Sequence, residues 1–203
     1  MSTYIFDLDD YKDNENNCLP QLLKIKETLP NFKVTLFTIP AEISNELIEE
    51  TKKHDWIQLA VHGLHHFDNY EFAKLNYYET KEKLKQGYNS DIYVKGFKAP
   101  GWQISELAMV ALKELDFWLA VQYSDDRLDG DVNGPYQPAV RDGLKFYAFN
   151  ELPKGYEAIH GHTWNCCGNG IDDLMSKILA LPQDSEFMFI DDFVNLKYAT
   201  KRL

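Results

Sequence analysis

The sequence predicts an α/β fold built on a parallel sheet, either a closed or distorted barrel or an open sheet, in one domain that spans residues 1–203. Apolar, strand-like segments alternate with helix-length amphipathic segments along most of the chain. Such alternation is typical of a parallel sheet with helices on its faces, and seven or eight units fit a barrel as readily as an open sheet. No repeat, low-complexity tract or Pro/Gly/Ser-rich linker divides the 203 residues, so one domain is expected.

The strand-like segments are recognised by the aromatic and β-branched residues that suit strands. They span residues 3–8, 32–39, 56–63, 92–99, 117–123, 144–150, 156–161 and 186–190. Helical periodicity is found between the first five of them, at residues 19–29, 43–53, 70–86 and 105–115. Residues 124–142 break the alternation, and their Gly, Pro, Asp and Asn content predicts a long loop.

Composition excludes several classes of partner. The chain carries 32 acidic against 21 basic residues, and a net charge of -11 repels nucleic acid and anionic membranes. Three cysteines, Cys18, Cys166 and Cys167, provide neither a disulfide framework nor a CxxC zinc spacing, which favours a reducing compartment. The start of the chain lacks signal-peptide features, and no apolar run approaches the roughly 20 residues of a membrane span. We therefore expect a cytoplasmic protein, with a phage-encoded or lysis-released origin as the alternative.

Most of the unusual polar residues follow the strand-like segments. In α/β folds, ligands bind at the carboxyl ends of the strands, so side chains placed there are candidates for function. The first segment runs into Asp9 and Asp10, the third into His62, and the seventh into His160 and His162. Five of the six histidines lie at just two of these ends. This concentration favours a binding or catalytic site over scattered surface histidines.

The segment "VHGLHH" suggests a metal site. His62 and His66 are four residues apart, and their imidazoles can converge on one ion if the segment curls into a helical turn. His65 would then point elsewhere. A carboxylate from the N-terminal acids can supply a third ligand and leave positions open for water, as in catalytic zinc sites. The alternative interpretation is a surface loop that happens to be rich in histidine.

The stretch "IFDLDD" alone also resembles the first motif of haloacid-dehalogenase-like phosphatases. That resemblance would make Asp7 the nucleophile and Asp9 the acid. It leaves the histidines without a role, and Tyr11 stands where those phosphatases usually carry Thr or Val. A phosphatase is therefore the less favoured hypothesis.

Taken in order, "DLDD", "VTLFTIP", "VHGLHH", "GFKAPGW" and "IHGH" resemble the motif series of the polysaccharide deacetylases, the NodB-homology or carbohydrate esterase family 4 proteins. The resemblance runs from residue 4 to about 195, with residues 187–193 as a last strand, and is closest to divergent bacterial or phage-type members. It implies the NodB-like fold, an α/β structure that forms a distorted (β/α) barrel of about seven parallel strands. It also implies hydrolysis of an N-acetyl or similar acyl group on a carbohydrate.

Carried over by position, the resemblance makes Asp9 the catalytic base and makes Asp10, His62 and His66 the metal ligands. The general acid is His160 or His162, with His160 favoured. Zn²⁺ is the expected ion, and Mn²⁺, Co²⁺ or Ni²⁺ would also suit these ligands.

The expected substrate-binding residues also follow strand ends. They are Lys98, Pro100, Trp102, Tyr123 and Trp164. Lys98 replaces the family's arginine and cannot offer the same bidentate fork. Tyr11 replaces a glycine, and residues 122–126 only echo the family's fourth motif.

Two further residues have expected supporting roles. Asp7 is expected to be a hydrogen-bond partner of Lys98 or of another cation inside the barrel, and Glu71 is expected to begin the helix after the metal loop. The alternatives left open are the same fold acting on another C–N or ester bond, and a catalytically weak sugar-binding protein. The sequence leaves the oligomeric state open.

Overall fold

A computed structural model describes residues 2–123, 142–165 and 168–199. Its parallel strands form a curled half-barrel in the order β6-β5-β4-β3-β2-β1-β7, and β8 pairs with β1 beside this path. The strands are β1 (Thr3–Tyr11), β2 (Val34–Thr38), β3 (Ile57–His62), β4 (Gly96–Lys98), β5 (Trp118–Val121), β6 (Lys145–Ala148), β7 (Tyr156–His162) and β8 (Glu186–Phe187). The prediction of a distorted α/β barrel of about seven parallel strands is confirmed.

Six α-helices connect or cover the strands in the described part of the chain. They are α1 (Leu19–Thr28), α2 (Asn45–Thr51), α3 (Tyr77–Gly87), α4 (Glu106–Glu114), α5 (Ile171–Leu179) and α6 (Ile190–Ala199). Their starts follow local capping chemistry, because a side-chain oxygen at the N-cap satisfies an otherwise unpaired backbone N–H. Ser44 and Ser105 cap α2 and α4, and Asn76 forms a capping box with Glu79 at α3. None of the described helices has the length and apolar character needed to cross a membrane.

Two predicted elements are wrong in extent. The helix predicted for residues 70–86 begins only at Tyr77, after the Asn76 cap, and Glu71 therefore lies before the helix rather than in its first turn. Phe72 instead forms an isolated parallel bridge with Ile104, a contact between distant parts of the chain.

The strand predicted for residues 186–190, and its extension to 193, reduces to Glu186–Phe187. The chain then enters α6 at Ile190, where Asp191 and Asp192 in the first turn suit the helix dipole. The predicted loop at 124–142 lies outside the described residues except for Asp142, and Cys166 and Cys167 also lie outside them.

The sheet buries apolar side chains on both faces. The larger cluster packs between the sheet and its helices, while a second cluster contains Ile5, Phe37 and Trp118 together with residues of α6. Phe37 of this second cluster also lies beside the Lys98 ammonium, 4.9 Å from it. The polar groups at the carboxyl ends of the strands therefore share a face with the cluster that α6 covers.

Candidate active site

Strand register brings the predicted polar residues together. In the parallel pair of β1 and β7, Asp7 lies opposite His160 and Asp9 lies opposite His162. In the pair of β3 and β4, His62 lies opposite Lys98. Because side chains alternate along a strand, Asp7 and Asp9 point to the same face.

Asp10 is turned by an irregularity at the end of β1. A regular strand would point Asp10 away from Asp9, but the pairing of β1 with β2 shifts between Leu8 and Tyr11, and Asp10 has a φ of 67°. A bulge of this kind re-aims a side chain near a functional site. The Asp10 carbonyl oxygen accepts hydrogen bonds from Asn16 Nδ2 at 3.1 Å and from Thr163 Oγ1 at 3.0 Å. Neither of these supporting residues was predicted from the sequence.

Lys98 is the centre of a buried charged group, which we call the lysine cluster: Asp7, Asp9, Lys98 and His160. The Lys98 ammonium lies 2.7 Å from Asp9 Oδ1 and 3.3 Å from Asp7 Oδ2, and the side chain is only 1% exposed. It also lies 4.0 Å from the ring of Trp102, a distance at which a cation is attracted to an aromatic face. The expected contact of Asp7 with Lys98 is thus present.

Asp7 also holds His160. Its Oδ2 is 2.7 Å from His160 Nδ1, while His160 Nε2 lies 3.9 Å from Asp9 Oδ2. A carboxylate at Nδ1 fixes the tautomer in which Nδ1 carries the proton, so Nε2 is directed towards Asp9. This arrangement gives the imidazole one buried anchor and one ring nitrogen free for chemistry.

The charge state of Asp9 follows from its surroundings. Burial opposes ionisation, but the positive charge of Lys98, with contributions from His62 and His160, outweighs it and holds the pKa of Asp9 well below its usual range. Asp9 is therefore a carboxylate at neutral pH. Removal of Lys98 would leave this charge without its main compensation.

The expected metal ligands converge in a second group, which we call the ligand trio: Asp10, His62 and His66. The Nε2 atoms of His62 and His66 lie 3.5 Å and 3.4 Å from Asp10 Oδ1. The segment after His62 does not form a helical turn, the geometry named above as the way for the two imidazoles to converge. It bends instead through left-handed backbone at Gly63 (φ 66°) and His66 (φ 50°).

The ligand trio fits a divalent ion. One candidate ligand atom from each residue lies within 4.8 Å of the others, and two imidazoles with one carboxylate suit zinc-type ions. His62 Nδ1 lies 3.0 Å from the Lys98 carbonyl oxygen, which favours a proton on Nδ1 and a lone pair on Nε2. Burial lowers the pKa of His62, which favours the neutral imidazole that ligates metals.

Trp164 contacts the ligand trio directly. Its indole Nε1 donates a hydrogen bond of 2.7 Å to Asp10 Oδ2. A cavity of about 290 Å³ lies here, lined by Asp10, Lys12, Asn16, Ile39, His66 and Trp164. The indole therefore orients the carboxylate of Asp10, a contact that the predicted substrate-binding role of Trp164 did not include.

The remaining predicted residues, Pro100, Trp102, Tyr123 and His162, differ in burial and in their distance from the lysine cluster. Pro100 is buried in a short turn, and the ring of Trp102 packs 5.5 Å from that of His160. Tyr123, beyond β5, is 44% exposed. The ring of His162 packs 5.8 Å from that of His160, and His162 Nδ1 meets no hydrogen-bond partner among the described residues. Of the two candidate acids, His160 alone has a carboxylate anchor within the described structure.

Glu71 lies before α3, in contact with the loop of His66, and not in the first turn of the helix as predicted. Its carboxylate accepts hydrogen bonds from the backbone N–H groups of Leu64, His65 and His66 and pairs with Lys83. Burial opposes ionisation of Glu71, but Lys83 and these N–H groups keep its pKa below the usual range. An acid five residues after a histidine has no sequence signal that separates this role from a helix-start acid.

Comparison with known proteins gave matches by structure alone. No family model matches the chain, and no curated protein sequence matches it. The similar solved structures include a family 4 acetyl xylan esterase from Clostridium thermocellum in complex with a cobalt ion. It has a TM-score of 0.60 and 11% identity, over 97% of this chain and 92% of that one.

Two further similar structures are a deacetylase and a pseudoenzyme. The Bc1960 peptidoglycan N-acetylglucosamine deacetylase has a TM-score of 0.60 and 18% identity, over 94% of this chain and 86% of that one. A carbohydrate esterase family 4 pseudoenzyme from Bacillus anthracis has a TM-score of 0.59 and 14% identity, over 95% of this chain and 65% of that one. The chain thus has the fold of the carbohydrate esterase family 4 deacetylases over more than nine-tenths of its length.

Proposed function

We propose that this protein is a metal-dependent hydrolase that removes an N-acetyl or similar acyl group from a carbohydrate. The observation that carries the proposal is the position of Asp9 between two groups. Its Oδ2 lies 4.0 Å from His62 Nε2 of the ligand trio and 3.9 Å from His160 Nε2 of the lysine cluster. A base placed between a metal site and an acid suits acyl hydrolysis by a metal-activated water, because the base can take the proton of the water and the acid can protonate the leaving group.

Asp10, His62 and His66 would hold the ion, most suitably Zn²⁺, with Mn²⁺, Co²⁺ or Ni²⁺ as alternatives. When bound, such an ion supplies Lewis-acid chemistry, which acidifies water towards a pKa of about 7 and polarises an acyl carbonyl. The chain contributes the orientation of these ligands. Trp164 holds Asp10 Oδ2, and the Lys98 carbonyl holds the ring of His62.

Asp9 would act as the base. Lys98 keeps it ionised in the neutral range and fixes Oδ1 at 2.7 Å, which leaves Oδ2 to accept a proton from the attacking water. The same low pKa makes Asp9 a weak base, so it suits only a water that has been made acidic. We therefore expect turnover to require metal loading.

His160 would act as the general acid. Asp7 anchors Nδ1 at 2.7 Å, so the protonated ring would donate from Nε2 to the leaving amine or alkoxide. His162 remains the other candidate, but its side chain has no anchoring carboxylate within the described structure. The anchor on His160 favours it, because a general acid must be held in one orientation to be efficient.

A direct test is acyl release by metal-loaded protein. N-acetylated, N-formylated and O-acetylated saccharides would be compared for wild type and for Asp9→Asn, which retains the ligand trio. We expect wild type to release acetate, and Asp9→Asn to bind metal but lose at least about 10²-fold in turnover. Equal turnover by the two proteins would refute Asp9 as base. The same screen identifies the acyl and linkage class, because the fold alone does not fix the substrate.

Sugar binding without turnover is the second candidate. Two observations favour it: Lys98 stands in place of the arginine expected from the motif series, and one structural neighbour is a pseudoenzyme. A lysine offers a point charge rather than a bidentate fork to the catalytic carboxylate. Tight saccharide binding with no acyl release at any metal loading would support this candidate and refute the enzyme.

A further inference from the structure

The carboxylate of Glu71 lies at the centre of the loop that carries His66. Oε2 accepts hydrogen bonds from Leu64 N at 3.0 Å and His66 N at 3.1 Å, and Oε1 accepts one from His65 N at 3.2 Å. Three successive backbone N–H groups therefore point at one carboxylate. The Glu71 side chain is only 8% exposed, so these bonds are largely shielded from water.

The backbone of the loop is shaped to fit around this carboxylate. Gly63 has a φ of 66°, and a Cβ added there would lie 2.5 Å from Glu71 Oε2 and 2.7 Å from Pro100 Cγ. Glycine adopts a positive φ at little cost and leaves room for the close approach. His66 itself has a φ of 50°, which a residue with a side chain rarely adopts without compensation.

Lys83 provides the compensating charge. Its Nζ lies 2.9 Å from Glu71 Oε1, and it is part of α3, whose capping box at Asn76 fixes where the helix begins. The helix is therefore linked through Lys83 and Glu71 to the loop of His66. Glu71 and Lys83 therefore hold the loop in its bent form through contacts within the chain.

We propose that Glu71 is a positioning residue for the metal centre: it holds the 64–66 backbone so that the imidazole of His66 meets Asp10 and His62. The inference rests on the proposed function, because it assigns a role to a residue that supports the same ligand trio. With this loop geometry, His66 Nε2 lies 3.4 Å from Asp10 Oδ1. Outer contacts that orient a metal ligand typically change metal affinity by about 10- to 100-fold when they are lost.

The variant that tests this role is Glu71→Gln. A carboxamide keeps the size of the side chain but replaces one acceptor oxygen with an N–H₂ group that faces N–H donors. The matched control is Glu79→Gln, since Glu79 Oε2 also accepts a backbone N–H, that of Asn76, at 2.8 Å, but in the capping box of α3 away from the ligand trio. Both variants lose a carboxylate bound to backbone N–H groups.

The measurement is the affinity of the full chain for Co²⁺ and Zn²⁺, obtained by titration with a competing chelator. We expect Glu71→Gln to bind each ion about 10- to 100-fold more weakly than wild type, and Glu79→Gln to bind as wild type does. Equal weakening in both variants would assign the effect to general destabilisation and overturn the proposal. Unchanged affinity in Glu71→Gln would also overturn it.

A second measurement on wild type keeps the proposal testable if Glu71→Gln does not fold. In metal-free protein, the amides of Leu64, His65 and His66 should exchange with solvent at least about 10-fold more slowly than unprotected amides, because Glu71 already holds them. Free exchange until metal is added would mean that the ion, not Glu71, orders the loop. If wild type binds no divalent ion, the proposed function fails by itself, whatever the exchange result.

Discussion

Two neighbouring groups at the carboxyl ends of the strands compensate their negative charge in different ways. In the lysine cluster, the Lys98 ammonium lies 2.7 Å from Asp9 and 3.3 Å from Asp7, so the chain supplies the cation. In the ligand trio, Asp10 lies 3.4 Å and 3.5 Å from two imidazole nitrogens, and the chain supplies only ligands. The first group contains a fixed positive charge, and the second could hold an exchangeable one, a divalent ion.

This difference distinguishes two groups of similar composition for which we propose different roles. Asp7, Asp9 and His160 also present ligand atoms close enough to hold a metal, but Lys98 already lies among them. A compact ammonium can contact Asp7 and Asp9 together while packing on Trp102, whereas a planar guanidinium would favour bidentate pairing with one carboxylate. Lys98 thus lies among the residues proposed for proton transfer and not among the proposed metal ligands.

The largest expected effect is that of Lys98→Met, which removes the ammonium but keeps a flexible apolar stem. Breaking a buried ion pair from one side typically costs about 3–5 kcal/mol, because the remaining charge is left uncompensated. We expect a loss of this size in the free energy of unfolding, measured by urea denaturation at pH 7.

The control for this variant is Lys145→Met, which removes a lysine paired with the mostly exposed Asp116. Surface pairs contribute about 0–1 kcal/mol, so its loss should be small. Similar stability losses in the two variants would show that the lysine cluster is not a compensated buried group.

The next largest effect is expected for Asp7→Asn. The amide cannot anchor His160 Nδ1 as a carboxylate does, so the proposed general acid would lose its orientation. We expect acyl hydrolysis to fall by about 10²-fold, equivalent to about 2.7 kcal/mol, while the metal content stays at the wild-type level.

Turnover of Asp7→Asn at the wild-type rate would contradict the role assigned to the Asp7–His160 pair. The variant also separates the two hypotheses for the first motif. A phosphatase with Asp7 as nucleophile would instead lose Mg²⁺-dependent phosphate release. The carboxylate of Asp7, only 1% exposed and bound to Lys98 and His160, is poorly placed for that attack.

Stability should depend on pH through Asp9. Burial opposes the ionisation of Asp9, but Lys98, His62 and His160 favour it. Together they lower the pKa of Asp9 in the folded state below the value of about 3.9 expected in the unfolded chain. The unfolded chain therefore binds more protons as pH falls, so the contribution of Asp9 is complete above about pH 5 and is lost below it.

The expected slope for this one group is up to about 1.4 kcal/mol per pH unit below pH 4. It is measured as the free energy of unfolding of chelator-treated protein from pH 3 to 6. Asp9→Asn should have a flatter profile than wild type. Parallel profiles would mean that Asp9 is not held as a carboxylate by Lys98.

The smallest effect is expected for Trp164→Phe. This change removes the indole donor to Asp10 Oδ2 and should weaken Co²⁺ or Zn²⁺ binding about 10-fold. Trp118→Phe is the matched control, because Trp118 Nε1 donates to Asp191 at 2.8 Å, away from the ligand trio. If Trp164→Phe bound metal as tightly as wild type, the indole would have no role in orienting Asp10 for the ion.

The parts of the site that could be predicted from the sequence follow from the geometry of single strands. Alternation along β1 and the position of ligands at strand ends were sufficient to bring Asp9, His62 and His160 together. The position of Asp10 could not be predicted from alternation, because a shift in the pairing of β1 with β2 turns its side chain towards His62 and His66. Such a bulge has no marker in the residue types of this segment.

The errors come from contacts between distant parts of the chain. Residues 70–76 have a helical pattern, but Phe72 bridges to Ile104 and Glu71 binds the loop before it, and tertiary contacts of this kind override local propensity. The short apolar run at 186–190 was ambiguous, since strands and buried helices look alike over such a length. Its acidic continuation, Asp191 and Asp192, was the better guide to a helix start.

The ligand trio is the central claim, and its most direct test is metal stoichiometry in His66→Ala and His65→Ala. The two histidines are adjacent, but only His66 belongs to the trio, while the ring of His65 stacks on Phe67. We predict one equivalent of Zn²⁺ or Co²⁺ per chain for wild type and for His65→Ala, and an affinity at least about 10²-fold weaker for His66→Ala. Equal binding by the two variants, or no binding by wild type, would contradict the account.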